Sequence, residues 1–267
     1  MSDQQKYTIK LRDQRILIIG GSSGIGYGVA EAGLEYGAHV TISSSSSLRL
    51  ENAVSRLLKS YPSAKSRLSS YPCDVGNEST IEANLQTLLQ TATSNGEQKF
   101  DHIVFTAGPA LTNMNIPFAE ASFEIFKNAG TVRFFAPMLL GKLSSSYLNP
   151  GPRSSLTLTT GTATERPIKG FVTGAITGAL HTLNRSLALE LAPLRCNLIS
   201  PGPVETELWD SFEPELRERF MKQMTARLTT GRIGKVEDVV ECYLCSMRDE
   251  NLTGSLISTN GGYLITE

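Results

Sequence analysis

Directly after the apolar run at residues 15–19 the chain reads Gly20-Gly-Ser-Ser-Gly24-Ile-Gly26 and then continues in a helical pattern from residue 27. A strand that becomes a helix within one tight turn needs residues without a Cβ at three kinds of place: where the backbone doubles back, where it approaches a ligand, and where the helix lies against the strand. The first turn of such a helix presents unpaired N–H groups and the positive end of the helix dipole, which together attract phosphate. A second apolar run at residues 39–43 supplies the next strand at the spacing a βαβ unit requires. The segment therefore predicts a strand–turn–helix–strand unit that holds a dinucleotide at Gly20, Ser22, Ser23, Gly24, Ile25 and Gly26.

The same alternation runs through the rest of the chain. Short apolar, β-branched stretches at residues 15–19, 39–43, 68–73, 102–106, 155–160, 195–200 and 255–259 are each separated from the next by amphipathic sequence long enough for a right-handed crossover. With 267 residues and 40% hydrophobic content, this reads as an α/β fold. The expected architecture is a single-domain Rossmann-type, doubly wound parallel sheet of seven strands with helices on both faces, one domain over residues 1–267. Residues 43–47, 93–99 and 144–153 read as loops from their Ser, Gly, Asn and Pro content.

Charge narrows the partners. The formal net charge is -1, from 25 basic and 26 acidic residues, so no global field draws in nucleic acid or an acidic membrane. A small-molecule substrate is expected instead. The polar start at residues 1–10 lacks the apolar core of a signal peptide, and a cytoplasmic location is expected. Of the four cysteines, Cys242 and Cys245 form a Cys-x-x-Cys pair inside a helical pattern with no second pair or nearby His. They read as two small buried side chains, and no metal is expected.

Further segments follow the glycine turn in a fixed order: Cys73-Asp74-Val75, Phe105-Thr106-Ala107-Gly108, Arg195-Cys-Asn-Leu-Ile-Ser-Pro201-Gly202 and Asn260-Gly-Gly262. Together with Gly-x-x-x-Gly-Ile-Gly they resemble the landmarks of the short-chain dehydrogenases/reductases. The resemblance implies that the cofactor site extends to Asp74, Val75, Thr106, Ala107, Gly108, Pro201 and Gly202. It adds Val204 and Thr206, from the segment that holds the nicotinamide carboxamide and phosphates. It also implies a homodimer or homotetramer, paired through the fourth and fifth helices or the C-terminal segment. Family members that prefer NAD carry an Asp or Glu at the end of the second strand, where it binds the ribose 2'-OH. This chain has Ser43, Ser44 and Ser45 there, followed by Arg49; these groups donate to a 2'-phosphate and no carboxylate opposes it. The expected cofactor is NADP(H).

The family's proton-handling positions are altered. Anchored on Asn184-Arg-Ser-Leu-Ala-Leu-Glu-Leu191, the Tyr-x-x-x-Lys pair is overlain by Thr173 and Thr177. Thr160 stands at the catalytic Ser, and Arg133 stands at the Asn of the preceding helix. A Thr hydroxyl is no acid near neutral pH, so the ordinary alcohol chemistry is not expected. The charged stretch Glu165-Arg-Pro-Ile-Lys169-Gly-Phe171 follows the Thr160 strand. This pattern is similar to an atypical branch of the family in fungal secondary metabolism, which includes NADPH-dependent reductase/Diels-Alderases of bicyclic indole alkaloids. In that branch an Asp usually stands where this chain has Glu165.

Arg133, Thr160 and Glu165 are therefore the candidate catalytic residues. Lys169, Phe171 and Trp209 are candidate substrate contacts, under a lid at residues 208–228 whose Phe212, Leu216, Phe220 and Met221 face the pocket. Hydride transfer to an iminium carbon yields a neutral amine and needs no proton donor. A carboxylate can stabilise the cation, while a guanidinium anchors an anionic or carbonyl group. The leading expectation is an NADP(H)-dependent oxidoreductase of specialised metabolism that reduces a C=N/iminium or activated C=C or C=O group and guides a later cyclisation such as a Diels-Alder reaction. Beside it stand a non-redox protein that uses the dinucleotide as scaffold or sensor, and a carbonyl reductase whose acid has moved to Tyr147 or Lys169. Arg133 could also serve only the cofactor or pair with Glu165, and Trp209 could be core.

Overall fold

The computed structural model describes residues 4–108, 117–168 and 174–266. Seven strands form one parallel sheet: β1 (Arg15–Ile19), β2 (His39–Ser44), β3 (Leu68–Pro72), β4 (His102–Phe105), β5 (Ser155–Thr159), β6 (Arg195–Pro201) and β7 (Leu256–Thr259). Their order across the sheet is β3-β2-β1-β4-β5-β6-β7. The helices are α1 (Gly24–Glu35), α2 (Ser47–Ser60), α3 (Ile81–Ala92), α4 (Phe123–Gly130), α5 (Ala136–Tyr147), α6 (Gly174–Gly178), α7 (Leu180–Glu190), α8 (Pro214–Ala226) and α9 (Val236–Arg248).

The central strand explains the continuous apolar runs. Successive side chains of a strand point to opposite faces, and a parallel sheet covered on both faces must be apolar at every position. In β1, Ile16 and Ile18 enter the layer beneath α1, α2 and α9 with Val29, Val40, Leu57 and Val239. Leu17 and Ile19 enter the opposite layer beneath α3, α5 and α7 with Leu85, Leu89, Leu140 and Leu187. Each such fully buried side chain stabilises the fold by about 1.5–3 kcal/mol. The polar anchors lie at the N-terminal ends of the strands. His102 Nδ1 and Nε2 reach Ser155 Oγ at 2.8 Å and Gln14 Oε1 at 2.6 Å. The buried Arg195 guanidinium donates to the carbonyls of Ser246 and Met247 at the C-terminal end of α9.

Four local expectations are corrected. The serine run is no loop, because Ser43 and Ser44 finish β2 and Ser46 caps α2, accepting from Arg49 N at 3.3 Å; Ser is a favoured N-cap. The expected loop at residues 144–153 begins only after Tyr147, because the buried Ser144 hydroxyl donates back to Leu140 O at 2.7 Å and the helix continues. Cys245 is exposed and Cys242 half-buried, so the pair does not form a buried unit. In the lid segment, a short 3-10 turn (Glu207–Ser211) precedes α8, whose Met224 packs with Leu228, Tyr263 and Phe220. Leu216 lies 51% exposed, since α8 turns its Phe220/Met224 stripe inward instead. Among the described residues no helix is long and apolar enough to cross a membrane.

Candidate active site

The strand order reverses between β1 and β4, and in a doubly wound sheet the ligand crevice opens at that point, beyond the C-terminal ends of the strands. The glycine turn is sewn into it from both sides. Gly20 N and Gly21 N donate to Ser43 O at 2.8 and 3.1 Å, while Thr106 N and Ala107 N donate to Ile19 O at 2.8 and 3.1 Å. Thr106 Oγ1 closes the loop onto Gly20 O at 3.3 Å. Gly20 has a φ of 95°, and a Cβ there would lie 2.5 Å from Ala107 N. A Cβ on Gly26 would collide with Gly20 O and Thr106 Oγ1.

Ser23 is the N-cap of α1, but its hydroxyl makes no capping bond, and the first turn carries no acid. Thr206 lies against Gly24 across the turn, and Glu207 accepts from Gly24 N at 2.8 Å. At the end of β2 the exposed Ser45 Oγ accepts from Arg49 Nη2 at 3.0 Å. Ser43 and Ser44 are buried, so of the three serines at the end of β2 only Ser45 is exposed. Beyond β3, Asp74 accepts from Gly76 N at 2.8 Å, Asn84 holds Asp74 O at 2.8 Å, and Val75 is buried. Pro201 and Val204 are likewise buried at the end of β6, with Gly202 N donating to Thr259 O. This set fits a dinucleotide: the backbone cradle admits no side chain, a helix end with an uncapped Ser faces it, and the exposed Arg49 guanidinium stands just past the end of β2.

The chemical side of the crevice is built from side chains. Arg133 sits in a π-helical turn (Thr131–Phe135) that joins α4 to α5. Pro137 has no N–H to give the Arg133 carbonyl, which accounts for the widened turn; such turns recur at functional sites. The guanidinium lies directly on the Gly108 backbone, where any Cβ would overlap its Cζ. Its Nε is shut away from solvent with no partner. Burial pushes this guanidinium down to about 10, partly offset by the Tyr243 phenol, so it stays cationic at neutral pH.

Thr160 is buried and donates to Thr177 O at 3.1 Å, and Thr177 Oγ1 donates to Gly174 O at 3.0 Å. Both hydroxyl protons are directed at backbone carbonyls. Glu165 is exposed and accepts from the buried Ser200 Oγ at 2.8 Å. It forms no ion pair with Arg133, which separates the two charges into distinct contacts. Arg166 turns away to Tyr263 O at 2.5 Å and lies 4.9 Å from the Tyr263 ring centroid.

Tyr147 is removed as a relocated acid. It lies by the N-terminal ends of the strands, where its hydroxyl accepts from Gln86 Nε2 at 2.7 Å and its carbonyl accepts from Phe100 N, just before β4. The length of that strand, roughly 13 Å at 3.3 Å per residue, separates it from the crevice. Lys169, Phe171 and Thr173 lie outside the described residues. Trp209 is 8% exposed, donates to Val204 O at 2.6 Å and packs on Phe212 and Phe220 with ring centroids 5.9 and 5.1 Å away. It ties the turn after β6 to α8. Among the described residues no group of three or more His, Cys, Asp or Glu could hold a metal.

Sequence reasoning missed four participants. Tyr243, wholly buried on α9, bonds Thr159 Oγ1 at 2.7 Å, and Thr159 in turn donates to Phe105 O at 2.7 Å. Burial pushes its phenol well above the usual range. Ser200 orients Glu165, and Glu207 joins Gly24 N to Arg56, 3.7 Å away. Glu207 directly follows Thr206 in the motif, so adjacency was a usable signal; the other three read as core or surface until the chain is folded.

Comparison with known proteins agrees with this geometry. A family model described as an SDR-like Rossmann domain matches residues 7–266. The short-chain dehydrogenase/reductase fsr5 of Gibberella fujikuroi is 40% identical over 270 residues, covering all of both chains. The short-chain dehydrogenase/reductase malC of Malbranchea aurantiaca is 38% identical over 259 residues, 96% of each chain. The solved structure of MalC reductase/Diels-Alderase superposes with a TM-score of 0.89 at 36% identity, over 98% of this chain and 100% of that one. A parallel seven-stranded sheet, a glycine cradle at its switch point and near-complete coverage by these relatives lead to one assignment: the chain belongs to the short-chain dehydrogenase/reductase family.

Proposed function

We propose that this chain is an NADP(H)-dependent reductase of specialised metabolism that acts on a C=N/iminium or activated C=C/C=O group and holds its product for a following cyclisation. The carrying observation is Arg133: a half-buried cation on the Gly108 backbone whose Nε is shut away from solvent without a partner, beyond the end of the strand that borders the cofactor cradle. A desolvated, unpaired donor costs stability unless a ligand group satisfies it.

NADPH bound in the cradle would supply a hydride. Gly20, Ser22, Ser23, Gly24, Ile25 and Gly26 would hold its pyrophosphate, Ser45 and Arg49 its 2'-phosphate, Asp74 and Val75 its adenine, and Thr106, Ala107, Gly108, Val204 and Thr206 its nicotinamide end. Arg133 donates to a carbonyl or anionic oxygen of the substrate and so orients the acceptor carbon. Glu165, steadied by Ser200, faces a cationic nitrogen. A cationic acceptor becomes neutral on accepting hydride, which removes the need for the proton that a Tyr–Lys pair would deliver. Thr160 shapes the pocket floor through Thr177 rather than titrating. Lys169 and Phe171 complete the substrate side of the same reading. The near full-length likeness to MalC, described as a reductase/Diels-Alderase, supports the coupling of reduction to cyclisation. The active form is a cytoplasmic homodimer or homotetramer, with exposed Phe135 and Met138 by α5 and Leu189 on α7 as the apolar contact.

The test is NADPH oxidation with a panel of cyclic imines, iminium salts and ketones. Turnover of the cationic acceptors, reduced 10–100-fold in Glu165→Gln while ketone turnover is unchanged, is the expected result. A second reading, a non-redox protein scaffolded by dinucleotide, is favoured by the internally bonded hydroxyls of Thr160 and Thr177. Tight NADPH binding with no turnover across the panel would establish that reading instead.

A further inference from the structure

We propose that Glu207 is a carboxylate gate on the nucleotide cradle, competing with the cofactor pyrophosphate for the first amide of α1. The inference rests on the dinucleotide reading above and concerns how that site is regulated. Gly24 N is the first amide of α1, one of the orphan donors that a helix start offers to an anion. In the structure this amide donates to Glu207 Oε2 at 2.8 Å, from a residue 183 positions away. The local cap is not used: Ser23 stands at the N-cap with an extended backbone, yet its hydroxyl makes no capping bond. The helix end is thus satisfied by a distant carboxylate, itself an anion of the kind the site attracts.

A carboxylate and a phosphate oxygen cannot take the same N–H, and their charges repel at that distance. Glu207 has a second partner ready. Its Oε1 lies 3.7 Å from Arg56 Nη1, and Arg56 is held 4.3 Å above the Tyr27 ring. When phosphate takes Gly24 N, the carboxylate passes to Arg56, which neutralises it beside the cradle. Glu207 also opens the 3-10 turn that carries Trp209, and Trp209 is tied to Val204 O and to Phe220 of α8. Exchange of the carboxylate therefore moves the lid anchor, so that cofactor entry and lid position are one event.

The chain contains a single tryptophan, two residues from Glu207, which makes the event visible. Dissociation constants for NADPH would be measured by calorimetry for the wild-type protein, Glu207→Gln and Glu207→Ala. Inorganic pyrophosphate, which has no chromophore, would be titrated against Trp209 emission in the same three proteins. Glu207 is 47% exposed, so both variants should fold. The expected result is a roughly 5–10-fold lower NADPH dissociation constant in both variants, with half-saturation by pyrophosphate shifted in the same direction. Equal affinity in all three proteins, or weaker binding in the variants, overturns the gate and leaves the cofactor reading standing. Failure of all three to bind NADPH, NADH or pyrophosphate overturns the cofactor reading and the gate with it.

Discussion

On the nucleotide side of the crevice, the groups that shape the site belong to the backbone: the turn from Gly20 to Gly26, its bonds to Ser43 O and Ile19 O, and the start of α1. On the chemical side they are the side chains of Arg133, Thr160 and Glu165, projecting from a π-helical turn, a strand end and a loop. The difference teaches that the nucleotide side depends on backbone geometry and the other side on side-chain identity. A backbone cradle works only where side chains are absent, so its sequence can hardly vary. A side-chain site can be rewritten residue by residue without disturbing the sheet beneath it.

The harshest way to break this comparison is Gly26→Val, whose Cβ would overlap Gly20 O and Thr106 Oγ1. It should abolish measurable NADPH binding by calorimetry and lower unfolding stability by about 1–3 kcal/mol in urea titrations. Retained affinity would mean that the turn is not the cradle. Next, Arg133→Ala should lower kcat/KM roughly 100–1000-fold, the scale of losing one preorganised donor, while the NADPH dissociation constant stays within about threefold. A matching loss of cofactor affinity would move Arg133 to the nucleotide side.

A pH titration asks whether the two sides share one folding unit. His102, buried between Gln14 and Ser155, has its imidazole lowered from 6.5 to about 3 by burial, with Arg195 and Arg153 adding to it. The unfolded chain binds a proton in that window that the folded chain refuses. Stability is complete above pH 6.5 and falls with pH toward 3, by up to about 1.4 kcal/mol per pH unit. Urea unfolding from pH 7 to 4 should show this slope in one transition, and His102→Gln should flatten it. The smallest effect is expected at exposed Arg49: Arg49→Ala should weaken NADPH binding about fivefold and leave NADH unchanged. Equal loss for both cofactors would remove the 2'-phosphate assignment.

How far the sequence could be read depended on how local each feature is. The strands were legible as short runs between amphipathic stretches, most plainly at the doubly covered β1 with Ile16, Leu17, Ile18 and Ile19, and least at the edge strand β3, where Ser69 and Ser70 interrupt the apolar pattern. The ends moved where side chains recruited the backbone: Ser46 capping α2 turned an expected loop into a helix start, and Ser144 bonding to Leu140 O carried α5 to Tyr147. Within the candidate site, spacing could not show that the Arg133 Nε is shut away from solvent or that the Thr160 and Thr177 hydroxyls donate to backbone carbonyls. Ser200 meets Glu165 from 35 residues away and Tyr243 meets Thr159 from 84, with no periodicity to announce either.

By itself, the sequence determined the parallel α/β sheet and the glycine turn, because apolar period and glycine placement are properties of short stretches. Only the tertiary structure decided which charges stand alone and which are paired. That outcome depends on burial and on partners brought together by the fold: Arg133 is left unpartnered on Gly108, Glu165 is taken by Ser200, and Glu207 is carried across the chain to the first amide of α1.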